Sequence, residues 1–478
     1  MQKLIIKTTR LSITVLLLML VTMFSCSENF LDVESDQEQA EQLSSDQSVE
    51  LVNAIYNRLI QWSMSSFSWN GVSSITSDDA DKGSDPGDTG ADKHLLDGLL
   101  MDPTTLSVGD VWGEHYNANQ RVTTAILAIQ DFNLEAGLKS RLLGEAKFLR
   151  ALIYFRLVKC FGGVPLISEL SDISSDESLK RATKEETYAF IEQNLQDAIA
   201  ALPEKSEYPI SELGRATKGA AKTLLAKVSM YQGKWQQVKD LTDQVIASGE
   251  YGLTPNYEDI WKEIAENNQE SIFEIQARGD SPTAGVQGYS VTQGARGEGG
   301  WGWGFNTPTQ DLVNSYEVGD TRRDATIIFR GETLYDGREV PNTVVNERYN
   351  QKAYISANSD AWETGKNIRV LRYAEVLLMN AEAATQLGGD AATPLNAVRT
   401  RAGLGNIDNP TQMDVWKERR WELAFEHDRY FDLVRQGRAG DVLRAHGKPF
   451  VDGKHEVFPI PQEQINISQG LLEQNPNY

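Results

Sequence analysis

The stretch GEAKFLRALIYFRLVKCFGGVPLI, Gly144–Ile167, decides the architecture. Leu142, Ala146, Leu149, Ile153 and Leu157 recur at intervals of three and four, with Phe148, Leu152 and Phe155 as a second stripe beside them. That is the period of an α-helix, with an apolar face too wide for one neighbour, so the helix packs on two sides. Gly162-Gly163 followed by Pro165 supplies a C-cap and a stop. Cys160 stands between apolar positions of the same helix and reads as a buried, inert thiol.

Outward from this helix the same period recurs. A partner runs from about Lys184 to Leu202, with Phe190, Ile191, Leu195, Ala198 and Ile199 inward and Pro203 as terminator. Ala216–Gln232 and Val238–Ser248 form a hairpin around the tight turn Gly233-Lys234-Trp235. Tyr373–Leu387 and Pro394–Arg401 form another around Gly388-Gly389-Asp390. A glycine turn with an aromatic or apolar residue at fixed offsets resembles a tetratricopeptide repeat, although Val238 and Thr393 stand where that repeat prefers Ala. The reading is a mainly α chain of about four tetratricopeptide-like helix pairs, packed against an irregular, loop-rich region. Long irregular stretches interrupt the helices at 66–110, 277–310 and 331–366, and loops of such length inside a compact body are usually functional or disordered.

The first residues set the compartment. Lys3, Lys7 and Arg10 precede the uncharged apolar run Leu11–Phe24, which closes on Ser25-Cys26. The run is too short for a membrane-spanning helix and has the order of a lipoprotein signal, with Cys26 as the lipid-bearing residue after cleavage. An ordinary secretory signal with an incidental cysteine is the alternative. Ser27, where an aspartate would signal otherwise, favours the outer membrane. Residues 27–46, rich in Glu, Gln, Asp and Ser, read as a tether with a reach of about 25 Å. The chain thus divides into a signal peptide 1–25, a lipidated tether 26–46, an N-terminal helical region 47–250 and a C-terminal region 251–478.

The net charge is −22, and removing residues 1–25 takes three basic residues and no acid, leaving −25. A surface that acidic repels phosphate backbones, so nucleic acid is excluded as a partner, and a polyanionic cargo is disfavoured. The search for catalytic or cofactor chemistry returns little. Five histidines make no metal-binding pair at helical spacing, there is no paired-cysteine motif, and the glycine-rich run 294–304 lacks the strand–helix setting of a phosphate cradle. No cofactor or metal is expected. Asp78, Asp79, Asp81, Asp85, Asp88 and Asp92 crowd one loop, either a calcium cage of irregular spacing or a solvated acidic loop. Glu418, Glu422 and Glu426 recur every four residues among Arg419, Arg420 and Arg429, a helix face that reads as an ion-pair network locking helices together.

Aromatics carry more information. Several of the ten tryptophans sit in polar loops, including Trp69 in SWNG, Trp362, and Trp301 and Trp303 with Phe305 in GGWGWGF. Sugar rings have an apolar C–H face that a flat indole suits, with nearby polar groups such as Arg296 and Asn306 to read hydroxyls. In extended backbone, alternating Trp-Gly-Trp would set both indoles on one side. The competing reading folds these rings inward as loop plugs, and for Trp69 that reading is preferred. Trp112, Trp235, Trp261, Trp416 and Trp421 lie in helical contexts and read as core.

The segments Gly144–Ile167, Gly214–Trp235, Arg372–Gly388, Leu395–Leu404, the run KERRWELAFEHDRYFDLVRQGR and the terminal Phe458–Tyr478 resemble, in order, the SusD/RagB family, with His427 standing where that family usually has Gly. The resemblance implies a lipid-anchored lid on a SusC-like TonB-dependent transporter. The lid captures oligosaccharides, or in some branches peptides, and catalyses nothing. A helical glycoside hydrolase is the rival from another class, recognisable by two carboxylates converging about 5–10 Å apart in an aromatic cleft.

Overall fold

The structure, a computed structural model, describes residues 45–169, 178–280, 283–356 and 362–478. The signal segment and Cys26 lie outside the described residues. The tether ends earlier than expected, because Ser45 and Asp46 already form the first turn of helix α1, Ser45–Arg58.

Seven further helices form a continuous array: α2 (Leu106–Asp131), α3 (Ala136–Phe161), α4 (Lys184–Ala201), α5 (Lys218–Met230), α6 (Trp235–Ala247), α7 (Tyr373–Leu387) and α8 (Ala392–Arg401). Each packs on the next, and α1 lies across α2 and α3. The fold is mainly α, as the period predicts. Helix α3 is buried along both predicted stripes, with α2 and α4 on its flanks. Its first turn is capped by the Glu135 carboxylate, which accepts from the Gly137 and Leu138 amides. It ends at Gly162 with φ +74°, and at Gly163 a side chain would run into the Ala182 carbonyl, so both glycines are dictated by geometry. A reciprocal cap between Thr183 and Glu186 starts α4, and Thr217 caps α5. Cys160 is fully buried, and burial pushes its thiol up to about 12, which leaves it inert.

Among the described residues the loop-rich region is stitched by four antiparallel two-stranded ladders: Ala80–Gly83 with Phe305–Pro308, Ser271–Ile275 with Ile368–Arg372, Val286–Gln287 with Glu363–Thr364, and Ile327–Phe329 with Arg348–Asn350. The first three ladders join segments remote in sequence. The division at residue 250 marks no break in the core, since α6 packs on α7 and Phe273 meets Phe148 of α3 edge to face at 4.9 Å.

The acidic face at 418–426 works differently from a single helix stripe. Helix α9 (Gln412–Leu423) stops short of Glu426, because Phe425 and His427 take left-handed backbone with φ +65° and +69°. The glutamates find arginines from distant segments instead of the ones interleaved with them. Arg322 holds Glu418 and Glu422 at 2.6 and 3.1 Å, and Arg372 holds Glu422 and Glu426 at 3.0 and 2.7 Å. Burial alone would raise Glu422, but Arg401, Arg372 and Arg322 hold it well below the usual carboxylate range. The expected lock between elements is there, and its buried charges are paired.

Candidate functional site

The chain leaves α1 through Trp62–Ser65, a single helical turn. The amide of Trp62 donates to Gln287 Oε1 at 3.2 Å, and the Gln287 amide donates to the Ile60 carbonyl at 3.1 Å. Next along, Gly288 donates its amide to the carbonyl of Trp362 at 2.6 Å. Gly288 has φ +69°, and any side chain there would strike the indole of Trp62 and crowd that of Trp362. Three backbone contacts therefore bring Trp62 and Trp362 over one glycine.

The third indole comes from the glycine-rich run. Between Gly294 and Gly304 the chain folds back on itself: Trp301 and Gly302 both donate to the Ala295 carbonyl, Trp303 to Val291 and Gly304 to Gly294, all at 2.8–2.9 Å. A side chain at Gly294 would meet the Trp301 ring, and one at Gly302 would meet the Val291 carbonyl. The glycines serve this close approach of backbone to backbone, not flexibility. The fold-back also corrects the expected platform, because Trp301 and Trp303 do not lie on an extended strand and separate. Trp301 is 3 % exposed, packs edge to face on Tyr354 at 5.5 Å under the Arg338 guanidinium, and belongs to a small core with Leu334, Val340 and Val344. Trp303 turns outward and is 38 % exposed.

Trp62, Trp303 and Trp362 form one cluster. The rings of Trp62 and Trp362 stack 4.7 Å apart at 28°, and Trp303 lies 6.0 Å from each. Trp362 is 43 % exposed and Trp62 half-buried. Beneath them Phe67 meets Trp62 at 4.9 Å, Trp303 at 6.3 Å and Phe305 at 4.9 Å, and the Lys93 ammonium sits 3.8 Å over the Phe67 ring. Phe305 is thus part of the floor, buried and out of reach of a ligand. The cross-strand pair Gln287 and Glu363 lies in the ladder carrying Gly288 and Trp362, and Glu363 Oε2 is buried with no partner among the described residues. Chemically, half-exposed indoles on a rigid aromatic base offer flat apolar faces beside hydrogen-bond acceptors.

Other sequence candidates fall elsewhere. Trp69 is 2 % exposed, stacked on Phe431 with the Arg156 guanidinium 4.6 Å above it, and is scaffold, the reading preferred from its sequence. Asn306 is buried with φ +56° and donates to Gln293 Oε1 at 2.8 Å, so its amide is committed inside. Arg296 bonds Ser84 Oγ and Asp88 Oδ2 at 2.8 and 2.9 Å and pins the glycine-rich loop to the acidic loop. That acidic loop is divided: Asp85 is exposed and Asp88 half-exposed, whereas Asp78, Asp79 and Asp92 are buried and paired. Asp78 holds Arg429 through two bonds of 2.7 Å, Asp79 takes Arg420 at 2.7 Å, and Asp92 takes Lys93. Among the described residues no three metal-ligating side chains converge. Trp62 was given no role by sequence reasoning. Its only signal is a tryptophan just past a helix end in a polar segment.

Comparison with known proteins gives one answer for both halves of the chain. A profile of the SusD family matches residues 269–478, and one described as starch-binding, associating with outer membrane, matches residues 29–230. SusD-like protein P2 of Formosa agariphila is 28 % identical over 441 residues, spanning 82 % of this chain and 85 % of that protein. Among solved structures, a laminarin-binding SusD-like protein superposes with a TM-score of 0.76 at 28 % identity, over 91 % of this chain and 99 % of its own. The surface glycan-binding protein A of Bacteroides thetaiotaomicron, in complex with laminarihexaose, does so with 0.78 at 26 % identity over the same shares.

Proposed function

Since the chain belongs to the SusD family, we propose that it is a surface glycan-binding lipoprotein. In this role it captures oligosaccharides and passes them to a SusC-like TonB-dependent transporter of the outer membrane, without cleaving them. The observation that carries the reading is the half-exposed Trp62–Trp303–Trp362 cluster on its phenylalanine floor. Its relatives support the cargo class, since two similar solved structures bind laminarin or laminarihexaose. Flat indoles suit the C–H faces of sugar rings better than they suit an extended peptide, which would ask for a free backbone edge. Lipid on Cys26 is the proposed anchor. Several acyl chains, at about 0.8 kcal/mol per buried methylene, hold a protein at a membrane where one does not.

The test is calorimetry of the purified protein against plant, microbial and host oligosaccharides, with product chromatography on the same mixtures. Binding without new products, weakened by Trp303→Ala, is the expected result. Reproducible cleavage abolished by changing one carboxylate would replace the reading with a hydrolase.

A further inference from the structure

A second cleft lies on elements that contribute nothing to the tryptophan cluster. It has a volume of about 480 Å³ and is lined by Glu317, Trp416, Lys417, Trp421, Arg429 and Arg438 among others. That volume falls within the range of roughly 300–1,000 Å³ usual for small-molecule sites. Its charge is unevenly answered. Arg429 is neutralised by Asp78, Arg420 by Asp79 and Asp311, and Arg399 by Glu317 and Glu418. The Asp414 carboxylate accepts from the Thr411 cap at the start of α9 and keeps its charge, which acts on Lys417 and Arg399. Two cations make no direct ion pair among the described residues. Lys417 is exposed and makes no ion pair or hydrogen bond among the described residues, and Arg438 bonds only Gln436 Oε1, at 3.3 Å.

The Arg438 guanidinium lies 5.3 Å from the centroid of the Trp416 ring and spends one N–H on Gln436, which leaves its other N–H groups as donors. Burial, with Arg429 and Arg420 nearby and Asp78 opposing, depresses its pKa, so the local field is one that an added anion would relieve. Trp416 is half-buried and gives its indole N–H to Glu382, while Trp421 is buried and gives its own to Ser315 at the cleft wall, so Trp416 is the ring a ligand can reach. Cations with an aromatic wall make a site for a group that is both ring-shaped and acidic.

We propose that this cleft binds one acidic saccharide unit, its carboxylate or sulfate ester between Arg438 and Lys417 and its ring against Trp416. The overall negative charge of the chain opposes long polyanions, so the site suits a single acidic unit, such as the end or branch of a glycan. It would give the protein a second point of selection, independent of the tryptophan cluster.

Calorimetry of the intact protein with digalacturonate, 6-sulfated N-acetylglucosamine, inorganic sulfate and neutral galactobiose tests this. One acidic sugar should bind and weaken as salt rises, and the neutral disaccharide should not compete with it. Lys417→Gln and Arg438→Gln should each lower its affinity at least about fivefold, Arg438→Lys less, and Trp303→Ala not at all. Which acidic probe binds tells carboxylate from sulfate. The proposal fails if neither acidic sugar binds, if inorganic sulfate binds as tightly as the sulfated sugar, if the variants leave affinity unchanged, or if Trp303→Ala abolishes binding. Should Arg438→Gln lower the melting temperature, Lys417→Gln, at an exposed position, decides.

Discussion

The indoles of Trp62 and Trp362 stack 4.7 Å apart over Gly288, although three hundred residues separate them in the chain. The stack exists because a two-residue ladder, Val286–Gln287 with Glu363–Thr364, and the bond from the Gly288 amide to the Trp362 carbonyl fix both backbones first. The aromatic surface proposed for sugar is thus set by backbone geometry.

Trp303 and Trp301 should respond oppositely to truncation. Ring stacking contributes about 1 kcal/mol beyond area burial, so Trp303→Ala or Trp362→Ala should weaken glycan binding several-fold to tenfold with little change in melting temperature. Trp301→Ala removes a core ring and should cost about 3–5 kcal/mol of stability. Calorimetry and thermal unfolding of the three variants side by side check this.

Gly288→Ala should act on binding through Trp62. A methyl group at this left-handed position strikes the Trp62 ring, so the stack must open. Glycan affinity should fall with a smaller change in stability, and tryptophan fluorescence should report altered ring environments. Unaltered fluorescence and affinity would show that the stack tolerates the methyl group.

His427 and His115 should make stability fall as the solution is acidified from neutrality. Ser73 gives its hydroxyl proton to the Trp69 carbonyl, so His427 Nδ1–H donates to Ser73 Oγ, and Nε2 is left buried without a partner. Burial, then the Arg156 cation, lowers both imidazoles to about 3, against an ordinary value of 6.5. The unfolded chain therefore binds more protons, and the stability that each neutral ring contributes is complete above pH 6.5 and is lost as pH drops toward 3. Carboxylates held low by arginines act below pH 4.5, beneath the upper part of this window. Urea midpoints between pH 7 and 5 should decline less steeply in His427→Asn, which tolerates the left-handed backbone, than in the unmodified protein.

Glu422→Gln should destabilise without touching the ligand surface. It leaves Arg372, Arg401 and part of Arg322 short of a buried counter-charge, at a cost of about 3–5 kcal/mol. Denaturant unfolding gives the loss. Glycan affinity of the folded fraction should be unchanged, because the network lies outside the tryptophan cluster.

Cys26→Ala should move the protein from the membrane fraction to the soluble fraction and abolish incorporation of labelled fatty acid. A variant that stays in the membrane fully labelled would rule out Cys26 as the anchor.

The sequence by itself determined helices α3 to α8 and their order. The stripes of Gly144–Ile167, the glycine turns at 233 and 388, and the stops at Gly162-Gly163 and Pro203 act within a few residues, so periodicity and end signals fix them locally. It also marked the Trp301–Trp303 segment as unusual, but it could not say which indole faces outward. That choice rests on the fold-back at Ala295, which buries Trp301 beside Tyr354 and turns Trp303 toward Trp62. The partners of Trp303 come from positions 62 and 362, and those of Glu422 from 322, 372 and 401. No local period encodes such meetings. They arise when elements already formed pack together, and only then is it decided which polar loop aromatics become core and which stay exposed.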